Sequence, residues 1–275
     1  LVFTGEKMIK KLCFLLLLGL FQLPVAAQSL RSLLAQEQTL IFIHRAALHP
    51  EIPENSLTGL KLAIEAGFHM LEIDVMESRD GVLYLLHDRT LGRTTDDEGN
   101  ISDWDSRDLD QLRLKNTQET LPRFESFLDI SRELGIYLML DVKSAVLEKV
   151  INLVSEKNML DRVVLLTFEL ERAIEAIGLD KKFLVSVLIN SEDEFDEYLC
   201  KSADPYQLAV YLNKGAPLEL FGRARQLGLP IITDVLGNID EHAQEDQRVY
   251  REFLEKRKPG IIVTDYPQLL KEAIN

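Results

Sequence analysis

The residues with the types for chemistry stand at the ends of apolar runs. "LIFIH" (40–44) ends in His44, with Arg45 next; "MLEIDV" (70–75) carries Glu72 and Asp74; "VLYLLH" (82–87) ends in His87; "IYLMLDV" (136–142) carries Asp141, with Lys143 just beyond. Side chains two apart on a strand share a face, so Glu72 projects with Asp74 and Asp141 with Lys143. Any one of these residues alone reads as a solvated or ion-paired side chain. Four runs ending alike point to one shared site, because buried carboxylates are unfavourable unless paired or bound to a cation. Three carboxylates with no nearby thiol and no His-x-His pair favour a hard divalent ion, Ca²⁺ or Mg²⁺, over zinc. Two histidines flanking such an ion suit a general base and a general acid. Arg45 and Lys143 suit a phosphate, Arg through its forked donors and Lys as a point charge.

A fold must bring those run ends together. Further apolar runs occur at "VVLLTF" (163–168), "FLVSVLI" (183–189), "LAVYL" (208–212), "PIITDV" (230–235) and "GIIVTD" (260–265). Most runs are separated by segments with helical spacing: "SLTGLKLAIEAG", "RFESFLDISRELG", "AVLEKVINLVSE" and "PLELFGRARQLG". Three of these four close on glycine, a common helix ending. Continuous apolar strands alternating with helices imply a mostly parallel sheet covered on both faces. At this length the economical closure is an α/β fold, the eight-stranded (β/α)8 TIM barrel, whose active site lies at the C-terminal ends of the strands; a doubly wound open sheet is the alternative. Nine candidate strands are one too many for that barrel. The weakest two are "LAVYL" and the hairpin-like "VLYLLH", which follows "MLEIDV" across only the Ser78 to Gly81 turn. No Pro/Gly/Ser-rich linker divides residues 29–275, so a single domain is expected, with a short insertion after the third strand.

The chain has 275 residues, 46% of them hydrophobic and 28% charged, which is too apolar for disorder. From Met8 it reads Lys10-Lys11, then "LCFLLLLGLFQLPV", then "AAQS", the charged, apolar and small-residue regions of a secretory signal peptide. The apolar run is shorter than the roughly 20 residues of a spanning helix. Residues 1–27 are therefore expected to be a signal peptide, with 1–7 a possible upstream mis-start, and 28–275 the barrel. The expected destination is periplasmic or extracellular, with no stable membrane anchor after cleavage. Beyond the leader Cys200 is the only cysteine, so no disulfide forms within one chain. The net charge of −14 repels nucleic acid and anionic membrane surfaces. A phosphate-bearing small molecule must then be met by a local positive cluster, and Arg45 with Lys143 supplies one.

The order of these signals carries a resemblance. "HRA…PENS", "LEIDVMESRDGVLYLLHDRTLGRTTDDEGNISD", "LPRFESFLD", "LMLDVKS" and "PGIIVTDYP" resemble the successive motifs of the glycerophosphodiester phosphodiesterase family, over nearly all of residues 40–267. The resemblance implies a (β/α) barrel that hydrolyses a glycerophosphodiester to glycerol phosphate and an alcohol with a divalent metal. It implies that His44 and His87 are the acid/base pair, that Arg45 binds phosphate, and that Glu72 and Asp74 bind metal. Asp141 and Lys143 fall where the family usually has a Glu-x-Lys pair. In similar enzymes the neighbouring glycerol hydroxyl attacks phosphorus and water then opens a cyclic phosphate, with His44 provisionally the base and His87 the acid.

There are departures from that pattern. Ala46 stands where the family usually has glycine, a strain of roughly 1 to 2 kcal/mol if φ is positive there. Asp141 is one methylene shorter than Glu, and "IITDVLGNID" replaces a Trp-Thr-Val-Asn type segment. The short stretch between His87 and Leu121 implies an open mouth. A related barrel phospholipase of C or D type and a non-catalytic phosphodiester-binding barrel are the alternatives. His49, His69 and His242 read as structural or solvated, "DEGN" (97–100) as a turn, Trp104 as packing, Asp265 and Tyr266 as structural, and "DEHAQEDQRVYREFLEKRK" as a solvated helix.

Overall fold

In the computed structural model, which describes residues 28–179, 183–201 and 205–274, nine strands form one sheet. They are β1 (Leu40–Ile43), β2 (Met70–Glu77), β3 (Leu83–Leu85), β4 (Tyr137–Val142), β5 (Val163–Thr167), β6 (Leu184–Leu188), β7 (Leu208–Tyr211), β8 (Ile231–Asp234) and β9 (Ile261–Thr264). β1 pairs in parallel with both β2 and β9, and every other ring neighbour is parallel, so eight strands close into a barrel. The ninth is β3, which lies outside the ring and runs antiparallel to β2. "LAVYL" is thus a ring strand and "VLYLLH" the extra one. The expected signal peptide, residues 1–27, lies outside the described residues.

The helices follow the ring: α1 (Leu30–Leu34), α2 (Leu57–Glu65), α3 (Ser106–Leu109), α4 (Phe124–Glu133), α5 (Leu147–Glu156), α6 (Leu170–Leu179), α7 (Glu192–Lys201), α8 (Leu218–Gln226), α9 (Asn238–Glu245), α10 (Arg248–Arg257) and α11 (Pro267–Ile274). Gly67, Gly135 and Gly228 follow α2, α4 and α8 with φ of 77°, 70° and 68°, left-handed helix ends that glycine adopts without a β-carbon clash. Strand alternation sorts the core into two shells. Phe42, Met139, Val164, Ala209, Ile232 and Val263 fill the barrel interior; their neighbours Ile43, Leu138, Leu165, Val210 and Ile231 pack outward in the shell that includes the helices' apolar faces. Both faces being buried is why the strands read as unbroken apolar runs.

The insertion, residues 88–120, has a small core of its own in which Leu91, Ile101, Leu109 and Leu114 are buried beneath Met76 and Tyr84, with Trp104 packed against them. It also holds α2. Glu119 accepts hydrogen bonds from the Leu57 and Thr58 amides at 2.5 and 3.0 Å, pairing orphan donors of the helix N-terminus beside Ser56, which caps Gly59 N at 2.8 Å. The stretch expected to be a solvated helix is instead two helices, α9 and α10, broken at Asp246–Gln247. Its apolar residues Ala243, Tyr250 and Phe253 pack with Val235, Ile262 and Leu270, and Asp240 is 1% exposed. The density of charge around those few apolar positions hid the buried stripe.

One close approach fixes the turn after β1. Gly59 of α2 packs on the backbone of Ala46, and a β-carbon on Gly59 would lie 2.1 Å from the Ala46 carbonyl oxygen. Gly59→Ala is therefore expected to destabilise the fold by about 1 to 3 kcal/mol, the range for overpacking, in denaturant unfolding; an unchanged midpoint would show that the contact is not tight.

Candidate active site

Strand register brings the carboxylates together. Asp74 of β2 and Asp141 of β4 are lateral partners in the parallel ladder, and Glu72 lies two residues before Asp74 on the same inward face. One oxygen from each of the three lies within 4.8 Å of the others, and all three residues are buried. Burial and the charge of Asp74 push the Glu72 carboxyl well above the usual range, against the opposing pull of His44 and the Arg45 amide. Burial likewise raises Asp141, with Lys143 opposing. Lys143 Nζ lies 2.5 Å from Asp141 Oδ2 and 3.3 Å from Asp74 Oδ1. Burial works against its charge, yet the two carboxylates hold its pKa above the ordinary lysine value.

The turn after β1 reaches the same cluster. His44–Ala46 form a single 3-10 turn in which Arg45 and Ala46 take φ of 49° and 53°. The alanine found in place of a glycine is thus in the left-handed region, where strain collects at functional sites. That conformation aims the Arg45 amide at Glu72 Oε2, 2.8 Å away. Asn55, also left-handed at φ 54°, secures it. Its amide donates to the Arg45 carbonyl at 2.6 Å, its Nδ2 donates to Asp74 Oδ2 at 2.8 Å, and its Oδ1 accepts from the Asp74 amide at 3.0 Å. The Arg45 guanidinium donates to Glu54 at 3.1 and 3.3 Å. Among the described residues its buried Nε has no hydrogen-bond partner, and Asp74 Oδ2 lies 3.8 Å away.

His44 Nδ1 lies 2.8 Å from Asp265 Oδ1, just past β9. With an ionised carboxylate, which can only accept, the proton of this bond is assigned to Nδ1, which leaves Nε2 as the ring nitrogen able to accept. Burial lowers the imidazole pKa, but the Asp265 hydrogen bond and the charge of Glu72 outweigh it, and the net direction is upward. Asp265, expected to be structural, is therefore part of the site.

His87 arrives by a different route from the one its strand-end position suggests. β2 overshoots the ring, and β3 turns back along it with Glu77 opposite Leu83 and Val75 opposite Leu85. Leu86 N then donates to the Asp74 carbonyl at 3.2 Å, which brings His87 to the level of the carboxylates from above. His87 Nδ1 lies 2.6 Å from Asp88 Oδ1. Arg93, in the insertion, donates to Asp88 at 2.5 Å and through both terminal nitrogens to Glu54 at 2.7 Å. These bonds hold Asp88 down at about 2. A continuous polar chain thus runs from His87 through Asp88, Arg93 and Glu54 to Arg45. At the same strand ends of the ring, Phe168 after β5 meets Tyr211 of β7 edge-on at 6.0 Å, and the Tyr211 hydroxyl donates to Asp234 of β8.

All seven residues selected from the sequence gather at this mouth; His49, His69 and His242 are exposed elsewhere. The sequence reading missed Asp265, Asp88, Arg93 and the roles of Glu54 and Asn55. Asp88, Arg93 and Asp265 all stand inside quoted motifs, but Asp265 reads as structural because its contact with His44 spans 221 positions and leaves no spacing signal.

The family model described as "Glycerophosphoryl diester phosphodiesterase family" matches residues 44–234. The glycerophosphodiester phosphodiesterase of Caldanaerobacter subterraneus subsp. tengcongensis is 28% identical over 143 residues, 48% of this chain and 58% of that protein. Human glycerophosphodiester phosphodiesterase 1 is 27% identical over 131 residues, 45% of this chain and 39% of that protein. The chain thus spans less than two thirds of the length of either. A glycerophosphoryl diester phosphodiesterase crystal structure from Parabacteroides distasonis superposes with a TM-score of 0.79 at 22% identity, covering 90% of this chain and 92% of that one. An Oleispira antarctica phosphodiesterase in complex with the product sn-glycerol-3-phosphate gives 0.69 at 20% identity, covering 88% and 98%. These solved structures share the barrel fold.

The His44–Asp265 contact generates a titration result. Asp265→Asn removes an anion that favours the imidazolium, so the His44 pKa must fall. Because the folded value is raised, the stabilisation from the charged pair is present below the unfolded pKa and is lost as pH rises through the folded value. NMR titration of the metal-free protein should show His44 titrating higher in wild type than in Asp265→Asn; coincident curves would contradict the contact.

Proposed function

The chain belongs to the glycerophosphoryl diester phosphodiesterase family, and from that membership and the site geometry we propose that it hydrolyses glycerophosphodiesters to glycerol phosphate and an alcohol. The observation that carries the reading is the buried set of Glu72, Asp74 and Asp141 with a histidine on either side. Three oxygen donors within 4.8 Å of one another fit around one hard cation, since Ca²⁺ takes oxygens at about 2.3–2.6 Å and Mg²⁺ at about 2.0–2.1 Å. Glu72, Asp74 and Asp141 would hold such an ion, which would supply charge to offset the negative charge that develops on phosphate oxygens.

The chain's own groups divide the remaining work. The Arg45 Nε–H, 3.8 Å from Asp74 Oδ2, and the Lys143 ammonium orient the phosphate beside the carboxylates. His44, its Nδ1–H held by Asp265, accepts through Nε2 the proton of the glycerol hydroxyl next to the ester. That oxygen bonds to phosphorus as the bond to the leaving alcohol breaks, and His87, held by Asp88, donates its proton to the departing oxygen. A five-membered cyclic phosphate results. Water then adds to phosphorus, one ring P–O bond opens, and the histidines pass protons in the reverse sense. The substrate is a small molecule, such as a phospholipid headgroup remnant, and the leader-like residues 1–27 support a periplasmic or extracellular setting for the domain at 28–275.

Single-site variants test these roles. His44→Ala and His87→Ala are each expected to lower kcat on a glycerophosphodiester by about two or more orders of magnitude, with bound metal unchanged. Full turnover in either would remove that histidine from the mechanism. Glu72→Ala should instead lose the metal, read by elemental analysis after dialysis; undiminished metal content would show that the ligand set is wrong.

A further inference from the structure

Asp240 is a charged side chain the proposed reaction does not use, yet it is 1% exposed. It lies in the first turn of α9, where a carboxylate is favoured by the helix dipole. Its two oxygens are taken by specific donors. Oδ1 accepts from Tyr250 Oη at 2.6 Å and from Thr264 Oγ1 at 2.7 Å; Oδ2 accepts from the Asp265 backbone amide at 2.8 Å. Thr264 Oγ1 accepts in turn from the Tyr266 amide at 3.0 Å. One carboxylate thereby fixes the side chain of the last β9 residue and the backbone of the next. That next residue, Asp265, is the one whose carboxylate meets His44 Nδ1 at 2.8 Å.

We infer that Asp240 is a positioning residue for His44, acting through the Asp265 backbone to hold the carboxylate that orients the imidazole. The inference rests on the proposed acid/base role of His44. Its physical content is that an aspartate on a loop just past a strand end can swing away from a histidine unless its main chain is held. Asp240 Oδ2 is the hydrogen-bond acceptor that the structure shows for the Asp265 amide. What matters on this reading is an acceptor at Oδ2, and a neutral amide oxygen there also serves, with the amide NH₂ facing the two hydroxyl oxygens.

The test uses the purified chain and two readouts. The first needs no turnover: the low-field Nδ1 proton of His44, visible by NMR when a carboxylate holds it. It should be present in wild type and in Asp240→Asn, and lost or broadened in Asp240→Ala and Asp265→Asn. The second is kcat. Asp240→Ala should lower kcat about ten- to hundredfold, the range for outer-shell hydrogen bonds to functional groups, with bound metal unchanged and Asp240→Asn restoring it to within about threefold. On an Asp265→Asn background Asp240→Ala should cost less than about twofold more, because both changes break the same link. A persisting His44 resonance in Asp240→Ala, or additive losses in the double variant, would overturn the inference. If Asp240→Ala does not fold, Tyr250→Phe carries the test: it removes a donor to Oδ1 but leaves Oδ2 on Asp265, so loss of the resonance there would equally overturn it. A wild-type chain that turns over no glycerophosphodiester would defeat the proposed reaction, while the resonance comparison would still read the clamp.

Discussion

Three carboxylates buried within reach of one another are the constraint around which the rest of the structure is organised. Left alone, Glu72, Asp74 and Asp141 repel one another in a low-dielectric setting, and burial raises the Glu72 and Asp141 carboxyls. Everything nearby is arranged against that repulsion: the Lys143 ammonium between two of them, the Arg45 amide on the third, and the Asn55 side chain on Asp74. With only Lys143 and a more distant Arg45 as basic neighbours among the described residues, Glu72 and Asp141 stay hard to ionise, an imbalance that a bound cation would relieve. A cation site with phosphate donors at its edge is what such an imbalance can serve.

The fold delivers this cluster through register. Parallel pairing sets Asp74 beside Asp141, and ring closure between β1 and β2 brings the His44 turn against Glu72. Two distortions then finish the site. The left-handed Arg45 and Ala46 turn an amide toward a carboxylate, under the backbone of Gly59, and the overshoot of β2 with its return as β3 places His87 opposite. Each histidine has an aspartate on Nδ1, Asp265 for one and Asp88 for the other. The two halves are tied by Arg93 across Asp88 and Glu54.

Much of this was legible before any coordinates. Apolar runs alternating with amphipathic segments imply the barrel, and chemistry-bearing residues at run ends imply one mouth, because both follow from local periodicity. The order of motifs then narrows the reaction class. What stayed hidden depends on long-range geometry. The short Ser78 to Gly81 turn marks "VLYLLH" as hairpin-like, but that local signal alone does not decide between it and "LAVYL" as the strand outside the ring. Asp265 and Asp240 looked like ordinary acids because their partners lie on other elements, and Asp240 sat at the start of a stretch whose charge masked its buried face. The left-handed Ala46 was visible only as a residue standing where glycine is usual.

The most direct measurement is glycerol phosphate release from glycerophosphocholine by the purified protein, stripped with chelator and then given Ca²⁺, Mg²⁺ or no metal. If the buried carboxylates are a cation site that serves phosphodiester cleavage, the stripped protein is inactive and one of the two ions restores product. Full turnover in the stripped protein, with no ion bound, would contradict that claim.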